Sequence, residues 1–132
     1  MPRTVLVVDD EADVATYLAT ILTANGYDPM MANDVETGLD MVKNHRPSLI
    51  CLDIMMPRKS GAAMYVDLKG DPETRDIPVI IISGVGQGGR FDFRNWVPDE
   101  SVNPPDAFME KPVEIDAFLK TVGVLTGEGG TA

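Results

Sequence analysis

The hydrophobic pattern of this 132-residue chain alternates between two kinds of segment. Short apolar runs without polar alternation, of which Leu49–Leu52 is the clearest, are typical of strands covered on both faces of a parallel sheet. Between these runs, apolar residues recur at the three- and four-residue spacing of amphipathic helices. The pattern predicts five strands, at residues 4–8, 27–32, 49–52, 78–82 and 107–110.

Helix boundaries are indicated by capping and helix-breaking residues. In the first predicted helix, Val14 and Leu18 face the core, and Gly26 follows as a C-terminal cap. Asp34 is the predicted N-cap of the second helix. Two further helices are predicted at residues 61–69 and 113–125.

Strands that alternate with helices predict an α/β fold. We expect a doubly wound, five-stranded parallel sheet that is flavodoxin-like, with strand order 2-1-3-4-5 and helices on both faces. Residues 1–126 are assigned to one domain, and residues 127–132 are expected to form a disordered tail.

The crossover between the fourth and fifth strands breaks the helical rhythm. Residues 85–105 contain a Gly-Gln-Gly-Gly run, three prolines and an aromatic stretch at Phe91–Val97 where a full helix should lie. We therefore predict a short or irregular fourth helix, and a segment that is mobile or specific to a partner. Phe91, Phe93 and Trp96 are interpreted either as a partner-binding face or as a local core.

Charge and composition restrict the partners and the location. There are 21 acidic and 11 basic residues, and the resulting net charge of −10 argues against nucleic acid or an anionic membrane as a partner. No apolar run is long enough to span a bilayer, and no signal peptide precedes the first strand. The single cysteine, Cys51, excludes an internal disulfide. We expect a cytoplasmic protein that is a monomer or a weak homodimer.

Polar side chains follow four of the predicted strands at one edge of the sheet. Asp9 and Asp10 follow the first strand, Asp53 the third, Ser83 the fourth and Lys111 the fifth. Because the first and third strands are neighbours in the expected order, the three carboxylates should lie within a few ångströms of one another. Three carboxylates at such short distances repel one another, and a hard divalent cation relieves that repulsion most simply. Carboxylate oxygens are ligands that suit Mg²⁺.

A bound cation would allow chemistry at this edge of the sheet. Asp53 could attack a phosphoryl group through a carboxylate oxygen, as nucleophilic carboxylates do when aspartyl phosphates form. Lys111 would supply a second positive charge, and the Ser83 hydroxyl could donate a hydrogen bond to a phosphoryl oxygen.

Four motifs, in this order, carry a resemblance to a known family. They are Val-Leu-Val-Val-Asp-Asp-Glu at 5–11, Leu-Asp-Ile-Met-Met-Pro at 52–57, Ile-Ile-Ser-Gly at 81–84 and Phe-Met-Glu-Lys-Pro at 108–112. In these motifs the chain resembles the receiver domain of bacterial two-component response regulators, in a single-domain form. The resemblance implies that Asp53 accepts a phosphoryl group from a phosphohistidine on a sensor histidine kinase or a phosphotransfer protein. A downstream protein partner would then read the switched face.

The same resemblance implies which residues bind the metal. Asp10 and Asp53 would bind Mg²⁺ directly and Asp9 would bind it through water. The Met55 carbonyl would complete the protein ligands.

The resemblance also implies roles at the fourth and fifth strands. Lys111 would pair with the phosphoryl group, and the Lys111–Pro112 bond would be cis. Ser83 and Phe108 match the switch pair of the family: the hydroxyl moves to the phosphate, and the aromatic ring turns inward behind it.

Other interpretations of these residues stay open. The acids at 9–11 could cap a helix, Asp53 could be a turn residue and Lys111 a solvated charge. A haloacid-dehalogenase-like phosphatase would also use an aspartyl phosphate, but such enzymes carry Asp-x-Asp on the first strand, whereas the pair here is adjacent. A scaffold pseudo-receiver that is not phosphorylated is a third possibility. We expect a phosphoacceptor switch that assists only its own phosphorylation and dephosphorylation, and not an enzyme.

Overall fold

Within the described residues, five strands and five helices alternate along the chain. The strands are β1 (Thr4–Val8), β2 (Asp28–Ala32), β3 (Leu49–Asp53), β4 (Val79–Ser83) and β5 (Ala107–Glu110). The helices are α1 (Ala12–Ala24), α2 (Val35–His45), α3 (Gly61–Gly70), α4 (Phe93–Trp96) and α5 (Ile115–Thr126). The computed structural model describes residues 3–54, 61–84 and 93–127, apart from the side chains of Ser83, Asn95 and Trp96.

The strands form one sheet in which every pairing is parallel, in the order β2-β1-β3-β4-β5. This confirms the predicted fold class and strand order. All five predicted strands are present, and their ends lie within one residue of the predicted positions.

Two apolar cores lie on opposite faces of the sheet, because successive side chains of a strand point to opposite sides. On β1, Leu6 and Val8 face the core shared with α2 and α3, whereas Val5 and Val7 face the core shared with α1 and α5. These four side chains are buried. Helices on both faces therefore cover the central strands and leave only their ends accessible.

Capping residues explain most helix boundaries. The Asp34 side chain accepts a hydrogen bond from the Thr37 amide at 2.7 Å, which confirms the predicted N-cap of α2. The C-cap of α1 is Asn25, not Gly26, which follows with a left-handed φ of 87°. α5 begins two residues later than predicted, because the Glu114 carboxylate accepts from the Ala117 amide at 2.6 Å and caps the helix there.

In the described part of the crossover between β4 and β5, residues 93–106, there is one short helix, α4, as predicted. Phe93 and Val97 are buried in the core shared with α3, so the structure assigns Phe93 to the core. Residues 85–92, including Phe91, lie outside the described residues, and so does the Trp96 side chain. The mobility of the wider segment stays a prediction.

The described part of the chain ends just after α5. Gly127 is the C-cap of α5, and the rest of the predicted tail, residues 128–132, lies outside the described residues. The assignment of residues 1–126 to one domain stays a prediction. Among the described helices, none combines the length and the hydropathy that a bilayer span requires.

Candidate phosphorylation and metal site

The register of the sheet brings Asp9 and Asp53 together. Val8 pairs with Leu52, so Asp9, which follows β1, and Asp53, the last residue of β3, lie at the same level of the sheet. Backbone hydrogen bonds continue beyond this pair, from the Asp9 amide to the Ala32 carbonyl at 3.0 Å. Both carboxylate side chains are 2% exposed. Two acids are thus buried side by side at the carboxyl ends of neighbouring strands.

Four carboxylates form a cluster at this edge. Asp9, Asp10, Glu11 and Asp53 each offer one oxygen, and these oxygens all lie within 4.8 Å of one another. Asp9 and Asp53 are buried, whereas Asp10 and Glu11 are exposed. At such distances like charges repel strongly, so the cluster favours a cation among its oxygens.

Lys111 supplies one positive charge from the end of β5. Its Nζ lies 2.6 Å from Glu11 Oε1, 3.1 Å from Asp9 Oδ2 and 3.4 Å from Asp53 Oδ2, and its side chain is 15% exposed. Burial lowers the pKa of Lys111, but the hydrogen bond to Glu11 and the charges of Asp53 and Asp9 outweigh it and raise the pKa overall. The lysine therefore stays protonated. It directly follows β5, and its bond to Pro112 is cis, as the family resemblance implied.

The two oxygens of Asp9 have different environments. Oδ1 accepts a hydrogen bond from the Glu11 amide at 2.9 Å, which holds the acidic turn after β1. Oδ2 lies at ion-pair distance from Lys111 but without hydrogen-bond geometry, and it is a buried side-chain oxygen with no hydrogen-bond partner among the described residues. An oxygen of this kind is expected to have a partner. The hard oxygen donors of this cluster, with one buried oxygen lacking a hydrogen bond, fit Mg²⁺.

Glu11 was not among the predicted site residues, although it belongs to the first motif and to the acidic turn that could have capped a helix. It is the N-cap residue of α1, yet its side chain makes no capping hydrogen bond. Instead its carboxylate contacts Lys111. The signal in the sequence was its position in the same turn as Asp9 and Asp10, at the end of β1.

Gly61 was likewise predicted only as the start of a helix. A Cβ atom built on Gly61 would lie 2.7 Å from the Ile54 Cα and closer still to the Asp53 carbonyl oxygen. The first turn of α3 therefore packs directly against the backbone that carries Asp53, an approach that only glycine permits.

The remaining predicted site residues are less fully described. The backbone of Ser83 pairs with Glu110 in the sheet, but its side chain lies outside the described residues, as does Met55. Phe108 is on β5, and 57% of its surface is exposed. The roles of Ser83, Met55 and Phe108 stay predictions.

The fold and the site define a class of protein. The sheet is parallel in this order, with acids at the ends of β1 and β3 and a lysine after β5. The family model of the response regulator receiver domain matches residues 5–122 of the chain. The chain belongs to this family and is a response regulator receiver domain of two-component signalling. Phosphorylation and Mg²⁺ binding are typical of the family, whose members are signalling switches.

Similar proteins of known identity support this assignment. The polar-differentiation response regulator DivK of Brucella anthropi is 28% identical over 130 residues, which cover 97% of this chain and 99% of DivK. The phosphate regulon transcriptional regulatory protein PhoB of Escherichia coli K12 is 37% identical over 129 residues, or 97% of this chain. The chain spans only 56% of the length of PhoB.

Solved structures agree with the fold. The receiver domain of the Francisella response regulator 1452 superposes with a TM-score of 0.78 at 26% identity, over 95% of this chain and 97% of that one. A CheY-like receiver domain protein from Methanospirillum hungatei JF-1 gives a TM-score of 0.82 over 98% and 97% of the two chains. Because the two sequences are only 22% identical, this similarity is evidence for the fold alone.

Proposed function

We propose that this receiver domain is a phosphorylation switch that accepts a phosphoryl group on Asp53. The donor is a phosphohistidine of a sensor histidine kinase or a phosphotransfer protein. One observation carries the proposal: Asp53 is buried among other carboxylates, yet its Oδ2 lies only 3.4 Å from the Lys111 ammonium. In that position the Lys111 ammonium offsets the charge of the carboxylate, and the same ammonium can bind phosphoryl oxygens.

In the proposed step, a carboxylate oxygen of Asp53 forms a bond to phosphorus while the bond from phosphorus to the histidine nitrogen breaks. The imidazole leaves with the electron pair of that bond and takes a proton, and Asp53 becomes an acyl phosphate. Lys111 donates a hydrogen bond to a phosphoryl oxygen and offsets the charge that gathers there.

Asp9, Asp10 and Asp53 would hold Mg²⁺, together with the Met55 carbonyl that the family resemblance implies. When bound, Mg²⁺ would shield the charge between the carboxylate nucleophile and the phosphoryl oxygens. The buried Asp9 Oδ2, which lacks a hydrogen-bond partner among the described residues, supports this assignment.

The switch itself would involve Ser83 and Phe108. The Ser83 hydroxyl would move to the new phosphoryl group, and the Phe108 ring, now half exposed, would turn inward. The change would alter the face around β5 that a downstream protein partner reads. A cytoplasmic location, a monomer or weak homodimer and the absence of nucleic-acid binding and of catalysis on other substrates stay predictions.

The proposal is tested by incubating the protein with Mg²⁺ and acetyl phosphate and measuring its intact mass. Wild type is expected to gain one phosphoryl group, and Asp53→Asn none. Asp40→Asn is the matched control, because it removes the same charge from an exposed position on α2. Phosphorylation of Asp53→Asn at the wild-type level would contradict the proposal, as would sustained turnover of a phosphomonoester, which indicates a phosphatase.

A further inference from the structure

The shortest contact of Lys111 is with Glu11, an acid that the proposed function does not use. Nζ lies 2.6 Å from Glu11 Oε1, whereas its distances to the oxygens of Asp9 and Asp53 range from 3.1 to 3.5 Å. The ammonium is thus pulled toward the outer edge of the cluster, away from the nucleophile.

The three partners of Lys111 differ in how easily they can release it. Asp9 and Asp53 are buried, so losing a cation would leave a charge without solvent. The Glu11 side chain is 61% exposed, and water can replace the ammonium there. Glu11 is therefore the partner from which Lys111 departs at the smallest cost.

The backbone of Glu11 is held independently of the contact between its side chain and Lys111. Its amide donates to Asp9 Oδ1 at 2.9 Å, and its carbonyl accepts from the Ala15 amide at 3.1 Å, so the residue is held between β1 and α1. Its carboxylate makes no capping bond to α1. Breaking the contact with Lys111 would leave the local fold unchanged.

We propose that Glu11 is a positioning residue that holds Lys111 at the outer edge of the site before phosphorylation and competes with the phosphoryl group for it. The part that concerns the phosphoryl group rests on the proposed function. When Asp53 becomes an acyl phosphate, new anionic oxygens attract the ammonium, and the contact with Glu11 is exchanged for one with the phosphoryl group. Glu11 therefore sets how readily Lys111 is recruited.

The first test needs neither metal nor phosphodonor. The rate at which a neutral N-hydroxysuccinimide ester acylates Lys111 is measured by peptide mass spectrometry, with the exposed Lys43 of α2 as internal reference. Glu11→Gln should raise the Lys111 rate roughly two- to fivefold, the range expected for loss of an exposed ion pair. Glu36→Gln, which removes the same charge from the first turn of α2, should leave it unchanged. Equal rates in all three proteins would overturn the proposal.

The second test separates action through Lys111 from general repulsion of an anionic donor. The initial rate of Asp53 phosphorylation by acetyl phosphate is compared for Glu11→Gln in the wild-type background and in a Lys111→Met background. Acceleration only when Lys111 is present supports the proposal, and Glu11→Asp should restore part of the wild-type behaviour. The same acceleration in both backgrounds, or slower phosphorylation of Glu11→Gln, would overturn it.

The two proposals fail in different ways. If wild type takes up no phosphoryl group, the proposed function fails, whereas the acylation rates still decide whether Glu11 holds Lys111. If phosphorylation occurs on Asp53 but the Lys111 amine is equally reactive with and without Glu11, only the positioning role fails.

Discussion

Two regions at the ends of the strands are held in place by different means. The acidic rim is formed by Asp9, Asp10, Glu11, Asp53 and Lys111. Asp53 is the last residue of a paired strand and the others lie one to three residues beyond one, so backbone register sets the geometry of the rim. The crossover segment, residues 93–106, contains a single helical turn and is held by individual side-chain contacts with α3 and β4.

Two hydrogen bonds and one ring contact help to anchor the crossover segment. The Tyr65 hydroxyl of α3 donates to the Asn103 carbonyl at 2.7 Å, and its ring meets Phe93 edge-on at 5.3 Å between centroids. At the far end, Asp106 Oδ2 accepts from the Val79 amide at 2.9 Å, at the start of β4. Backbone hydrogen bonds between strands form with most side chains, whereas a contact made by one particular side chain is lost when that side chain is replaced. Substitutions in the two regions should therefore have different consequences.

The largest expected effect is in the crossover segment. Phe93→Ala removes a buried ring that packs on Tyr65 and should lower the free energy of unfolding by about 3 kcal/mol. The measurement is urea unfolding, with Val124→Ala, which is 60% exposed, as the control. Uptake of a phosphoryl group by Asp53 should persist under native conditions. Similar stability losses for both variants would mean that the crossover segment is not anchored through this ring.

The rim depends on backbone packing at one point, where Gly61 approaches Asp53. Gly61→Ala forces a methyl group against the Asp53 backbone and should destabilise the protein by about 2 kcal/mol. It should also slow phosphorylation, because Asp53 is displaced relative to Lys111. Gly70→Ala, at the other end of α3, meets no atom within 4 Å and is the matched control. Equal stability of the two variants would contradict the close approach.

The burial of the strand beneath the rim can be measured through pH. Burial raises the pKa of the Cys51 thiol from 9.0 to about 12, so the thiol ionises first in the unfolded chain. Its contribution to stability is complete below pH 9 and is lost as the pH rises toward 12. From pH 8 to pH 10, wild type should lose about 1.4 kcal/mol more than Cys51→Ala.

Urea unfolding at several pH values provides this comparison. Burial also raises the pKa of the Tyr65 hydroxyl. Tyr65 is present in both proteins, so its contribution to the pH dependence cancels. Parallel stability curves for wild type and Cys51→Ala would show that β3 is less buried than described, and the contrast between the two regions would weaken.

The smallest effect isolates one hydrogen bond of the crossover segment. Tyr65→Phe removes the bond to the Asn103 carbonyl and should cost about 1 kcal/mol. Amide hydrogen exchange should accelerate around Val102, while the amide of Asp9 in the rim keeps its protection. Tyr27→Phe is the control, because the Tyr27 hydroxyl makes no hydrogen bond with the described residues. Faster exchange in both regions would show that they are coupled.

Much of the fold and part of the site could be predicted from local patterns. Apolar runs define the strands, and Asp34 caps α2 through its own side chain. The approach of Asp9 to Asp53 followed from strand order, since parallel neighbours end at one edge. Phe93 could not be placed, because an aromatic residue in an irregular segment is compatible with both a core and a surface.

The sequence by itself determined the periodicity of each segment and the order of strands and helices along the chain. It also determined which acids, hydroxyl and lysine lie at the strand ends. Only the tertiary structure decided that Glu11 contacts Lys111, 100 residues away, and that Gly61 packs against the backbone of Asp53. The physical reason is range: hydrophobic period and capping act between residues a few positions apart, whereas these contacts exist only after the sheet has assembled and brought distant strand ends together.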